Sequence, residues 1–212
     1  HRAVALEYRR LGVLDTAHQH FTRAIELDRR DPAAYDGRAR LWRDFGFAGQ
    51  GLGDAYRAAY LAPGSAEAAN TLGTLFEAMG DLRRARTFFA RAAALDPSAA
   101  YAVTNLCHAD TMLGRREALA QCSRAVALAP GSSVARNNMG LAYAAAGAFD
   151  LAQQEFSAVG SQAVAAYNLG IVFMAAARLP EAAEAFREAW LSDPTMAIAA
   201  QRLWQARAAS AR

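Results

Sequence analysis

Four histidines, two cysteines and a set of regularly placed asparagines are the side chains of this 212-residue sequence whose chemistry first suggests a role. His1, His18, His20 and His108 form no HExxH and have no evident carboxylate relay. His18 and His20 stand two apart, so on a helix they point to different faces. Cys107 and Cys122 make neither a CxxC nor a zinc spacing; two buried free thiols are expected, with a bridge between them the alternative in an oxidising periplasm. The serines fall mainly in turns, not in a nucleophile elbow. The string GQGLG at 49–53 has no preceding strand to make it a phosphate loop. No catalytic centre, cofactor or metal is expected. Asn105, Asn138 and Asn168 differ in kind. A side-chain amide both donates and accepts, so a row of them clamps the backbone of an extended peptide without reading its sequence. The alternative is amides that bond locally or to water.

The elements that must hold these residues follow from composition. Hydrophobic residues make up 54% of the chain but aromatics only 9%, and the difference is alanine, with 55 copies. Alanine is the best helix former and β-branched residues are sparse, which excludes a β-sandwich or barrel. No apolar run approaches the roughly 18 residues of a membrane span, so direct membrane insertion is not expected. All 23 basic residues are arginine against 20 acidic, a net charge of +3. That balance is too small for a general nucleic-acid footprint. Arginine without lysine, beside abundant alanine, suggests a GC-rich bacterial genome. The chain opens at His1 without an apolar signal segment, so it reads as a mature product or an excised fragment whose targeting is not visible.

Internal repeats give the organisation. From Gly73, residues of fixed size follow at constant offsets: Phe76, Gly80, Ala85, Phe89, Ala92 and Pro97. The pattern recurs from Ala5, Ala39, Cys107, Gly140 and Gly170, so successive starts lie 34, 34, 34, 33 and 30 residues apart. Each unit reads as two antiparallel helices that touch at the small slots. Glycines at 12, 46, 80, 114 and 147 end the first helix, and prolines at 32, 63, 97, 130 and 194 stop the second. Phe21, Phe89, Phe156 and Phe186 are expected to fill the space towards the next unit. A single unit cannot bury its apolar face, so stacking is obligatory. The tail from Thr195 reads as a closing helix in which Met196, Leu203 and Trp204 cover the last unit.

The period and offsets resemble the tetratricopeptide repeat (TPR), from about residue 1 to 194. The resemblance implies an all-α, right-handed superhelix of six helix–turn–helix repeats, at 1–31, 32–64, 65–98, 99–131, 132–160 and 161–194, with a capping helix at 195–209, all in a single solenoid domain. Two departures stand out. The second helix of the second repeat, FAGQGLGDAYRAAYLAP, carries three glycines and is expected to be irregular, and the fifth repeat is cut short at residues 159–161.

In TPR proteins the first helix of each repeat lines a concave groove. Offsets −3, −2, +1 and +4 from each small residue share one helical stripe. They place Arg2, Arg9, Arg40, Arg43 and Asp36 at one end, then Asn70, Thr74, Glu77, Thr104, Asn105, His108 and Thr111. Asn137, Asn138, Leu141, Ala144, Tyr167, Asn168, Ile171 and Met174 follow. The asparagines resemble the ladder of the TPR region of O-GlcNAc transferases. A groove cationic at one end and apolar at the other suits a peptide with an acidic segment and a hydrophobic anchor. The competing reading makes the arginines a solvated face and the apolar residues packing for a neighbour. With no lysine, the lysine-based carboxylate clamp of chaperone-tail binders is disfavoured. The resemblance implies a non-catalytic scaffold or adaptor with a protein or peptide partner, loosely similar to TadD-like pilus and secretion assembly proteins. Two rivals are the substrate-recognition arm of a larger transferase or kinase, and a self-assembling homo-oligomeric module.

Overall fold

The computed structural model describes residues 1–210, and all regular structure among them is helical. Thirteen α-helices follow one another: α1 Arg2–Arg10, α2 Leu14–Leu27, α3 Pro32–Asp44, α4 Leu52–Leu61, α5 Ala66–Ala78, α6 Leu82–Leu95, α7 Ala100–Met112, α8 Ala118–Leu128, α9 Ser133–Ala145, α10 Phe149–Ser157, α11 Gln162–Ala175, α12 Leu179–Ser192 and α13 Ala197–Ser210. They form two compact units, His1–Ala109 and Asp110–Arg212, whose boundary falls inside α7. Within each unit, helices pack on their neighbours in the chain or on the next but one.

Local chemistry sets the ends of these helices. Asp31, Ser65, Asp81, Ser132 and Ser161 cap α3, α5, α6, α9 and α11, each side chain accepting a backbone N–H of the first turn. Gly12, Gly46, Gly80, Gly114 and Gly147 all take positive φ, between 63° and 84°, where the chain reverses after a first helix. The sixth repeat makes the same reversal with Ala177 at φ 57°.

The phenylalanines do more than reach the next repeat. Phe89, Phe156 and Phe186 lie over the small slot of their own first helix, where a Cβ added to Gly73, Gly140 or Gly170 would come within 2.4–2.6 Å of the ring. Phe156 also joins Ala165, Leu169 and Val172 of α11, and Phe186 joins Leu203 and Ala206 of α13. In the first repeat the slot holds Ala5, and Phe21 presses instead on Gly37 of α3. Phe21, Phe156 and Phe186 thus wedge between two repeats.

The irregular second helix is real. A 3-10 turn, Ala48–Gly51, precedes α4. Gly51 is needed there, because a Cβ would lie 2.7 Å from the Ala39 carbonyl oxygen. In the shortened fifth repeat, α10 has only nine residues.

Two expectations are corrected. Cys107 and Cys122 are not free thiols: both are disulfide-bonded and fully buried. Their slots ask only for small residues, which a half-cystine meets as well as a thiol. Trp204 does not cover the last repeat. Leu203 is buried and Met196 packs on Ala166 and Ala199, but Trp204 is 71% exposed because it stands on the far side of α13.

Candidate functional site

The inner stripe of the first unit is polar and largely paired with itself. On α1, Arg2 donates twice to Asp31, at 2.8 and 2.9 Å. Arg9 donates to one oxygen of Asp44 at 2.6 Å, and Arg43 holds the other at 3.0 Å. Arg40 Nε bridges Asp36 Oδ2 at 2.9 Å and Thr71 Oγ1 at 3.0 Å. The arginines expected to make a cationic groove end therefore each face a carboxylate. Burial pushes the Asp36 carboxyl above its ordinary range, while Arg40 and the Thr71 hydroxyl pull it back.

Further along the same unit, Asn105 Nδ2 donates to Asn70 Oδ1 at 2.9 Å, joining α7 to α5. Asn70 is buried and Asn105 half-buried, so part of their amide capacity is used between repeats. His108 Nε2 lies 3.6 Å from Glu77 Oε1. Burial raises the Glu77 carboxyl, with His108 and Arg43 opposing the rise. Thr74 returns its hydroxyl to the Thr71 carbonyl at 2.9 Å, and Thr104 is buried. This stripe offers amide and hydroxyl groups already held in place.

The second unit differs. A cavity of about 400 Å³ is lined by Thr111, Met112, Leu141, Ala144, Ala145, Val172, Ala175 and Ala176. These come from the C-terminal turns of α7, α9 and α11, and all but Thr111 are apolar. Leu141 and Ala144, both expected on the groove stripe, form part of the wall. Asn138 is buried, while Asn137 and Asn168 are half-buried on the same two helices. Tyr167, Ile171 and Met174 are placed elsewhere: they pack on Phe186, Leu203 and Ala206, beneath α13. The Tyr167 ring sits 5.6 Å from that of Phe186.

Sequence reasoning missed Met112, Ala145 and Ala175. All three stand at offset +5, one helical turn beyond the +1 position, so extending that stripe by a turn finds them. Val172 and Ala176 were missed as well, and no spacing singles them out. Among the described residues no group of three or more His, Cys, Asp or Glu could hold a metal ion. No helix among them is long and apolar enough to cross a membrane.

A family model described as a tetratricopeptide repeat matches residues 66–98. Solved structures match over far more of the chain. The type IV pilus biogenesis factor PilW superposes with a TM-score of 0.80 at 20% identity, covering 96% of this chain and 95% of that one. YrrB, a TPR protein with an unusual peptide-binding site, gives a TM-score of 0.63 at 25% identity over 85% of this chain and 96% of its own. In the APC/C hetero-tetramer Cut9–Hcn1, the TM-score is 0.76 at 18% identity over 97% of this chain. There it spans only 42% of the matched chain's length. No curated protein matches the sequence to significance.

Proposed function

We propose, from one matched tetratricopeptide repeat at residues 66–98 and a fold shared with TPR proteins, that this chain is a non-catalytic scaffold that holds a segment of a partner protein on the first helices of its repeats. The observation that carries the reading is the apolar cavity of about 400 Å³ at the ends of α7, α9 and α11. A pocket of that size accepts one large apolar side chain. Asn137, Asn138 and Asn168 stand on the helices that bound it, and their amides suit the main chain on either side of the anchored residue. In the first unit Asn70, Asn105, Arg40, Arg43 and His108 make a second polar stripe. Its ion pairs favour an uncharged or mixed-charge segment over a strongly acidic one, since each arginine already has a carboxylate.

The setting is the assembly of a bacterial envelope machine. Two observations support it. The fold matches PilW, a pilus biogenesis factor, over nearly the full length of both chains. Both cysteines are disulfide-bonded, and disulfides persist in oxidising compartments.

The test is co-precipitation from the native host, comparing the wild-type chain with Ala144→Trp, which fills the cavity, and with Asn138→Ala/Asn168→Ala. The filled variant should lose the partner while circular dichroism shows unchanged helicity, and the double variant should bind it less. Full retention of the same partner by folded Ala144→Trp would remove the cavity from the binding site.

A further inference from the structure

Helix α13 is built to the register of a first helix. In α5 the buried positions include Ala68, Leu72, Gly73 and Leu75; in α9, Ala135, Met139, Gly140 and Ala142; in α11, Ala165, Leu169, Gly170 and Val172. Counted from each central glycine, these are offsets −5, −1, 0 and +2. Helix α13 buries Ala199, Leu203 and Ala206. Those are −5, −1 and +2 about residue 204, which lies 34 residues after Gly170.

The slot at offset 0 is where every earlier repeat keeps a small, buried residue: Ala5, Ala39, Gly73, Cys107, Gly140 and Gly170. A second helix covers it. Phe89, Phe156 and Phe186 lie on the three glycines, Ala5 shares a core cluster with Ala17 and Phe21, and Ala39 shares one with Ala55. In α13 the slot holds Trp204, and the indole is 71% exposed. Ala197, Ala200, Arg207 and Ala208 fall on the same stripe. A large exposed ring at the slot that the earlier repeats bury calls for an occupant.

We propose that this face of α13 docks an α-helix of a partner protein, antiparallel to α13, with alanine or glycine opposite Trp204 and a carboxylate near Arg207. The five covered slots supply the precedent for a helix, and the short turns within repeats supply its direction. The bulk of Trp204 reverses the usual fit. Elsewhere phenylalanine presses on glycine; here the large side chain belongs to the first helix, so the small residue must come from the partner. Charge supplies the rest. No Asp or Glu occurs in Ala197–Ser210, and Glu184, whose carboxylate feels the charge of Arg207, is bonded to Arg187. A second copy's α13 would bring another tryptophan and no acid. This surface is separate from the cavity proposed above, and the two proposals stand or fall independently.

The probe is a synthetic peptide with the sequence of residues 179–194 carrying Phe186→Ala, which keeps three glutamates and puts alanine at the crossing point. Fluorescence anisotropy of the labelled peptide should show saturable binding to the full chain. Trp204→Ala should weaken it at least about tenfold, as loss of a central tryptophan does at interfaces. The unmodified peptide, with Phe186 retained, should bind less well. Arg207→Glu should weaken binding, and a peptide with lysines in place of the glutamates should recover it. Absence of saturable binding, or equal affinity for folded Trp204→Ala, overturns the proposal. A concentration-dependent dimer that Trp204→Ala abolishes would overturn it too, because a second copy would then be the occupant.

Discussion

Gly140 shows how much of this fold is decided by single side chains. A Cβ there would lie 2.4 Å from the Phe156 ring, and Phe156 is fully enclosed by α9 and α11. The ring has nowhere to retreat, so relief must come from helices moving apart. Overpacking of that kind costs about 1–3 kcal/mol. Gly140→Ala should therefore lower the denaturant midpoint of the second unit by a corresponding amount. A second substitution, Phe156→Leu, should recover part of the loss by removing the ring that clashes. Stability unchanged by Gly140→Ala would mean that the helices are not held at the separation seen here. The slots were legible in the sequence because small size recurs at one period. What was not legible was how each polar side chain spends its hydrogen bonds. Asn70 and Asn105 pair with each other, and Asp44 accepts from both Arg9 and Arg43. Asn70–Asn105 and Arg9–Asp44 join different repeats, and offsets within one repeat do not report them.

The helical pairs and the glycine reversals within repeats were legible in the sequence, because chain reversal is local. Ser65, Ser132 and Ser161 stand directly before helices, and five glycines take the positive φ that ends a first helix. The exception is the turn between α11 and α12, where Ala177 adopts φ 57°. An L-residue in that region pays a Cβ clash of roughly 1–2 kcal/mol. Ala177→Gly removes the clash but leaves a more flexible unfolded chain, which offsets part of the gain. The net expectation is stabilisation by about 0.5–1 kcal/mol, read as a higher melting temperature with the same helical signal. A lower melting temperature would show that the turn relaxes to a negative φ in solution. The same contrast explains α4. Three glycines signalled irregularity, but that Gly51 specifically must lack a side chain follows from the Ala39 carbonyl opposite it. That contact joins residues twelve apart and lies beyond a reading of local propensity.

For the whole molecule, the sequence carried the all-helical architecture and the closing helix, since a period repeated six times leaves few alternatives. It did not carry the state of Cys107 and Cys122. Both occupy slots that any small residue satisfies, which pointed to free thiols but does not exclude a disulfide. The structure resolves this in favour of the disulfide, and the consequence reaches beyond packing. Reduced cytosolic conditions keep thiols free, whereas oxidising compartments allow such bonds to form and persist. The compartment argument for an envelope role therefore has a direct chemical readout. Protein taken from its native host into denaturant with a thiol-blocking reagent should show no reactive thiol. The same sample reduced before labelling should show two, matching the two cysteines of the sequence. Labelling of both cysteines without prior reduction would mean that the bond is not made where the protein works. The envelope assignment would then lose its chemical support, while the cavity of the second unit and the exposed Trp204 would keep theirs.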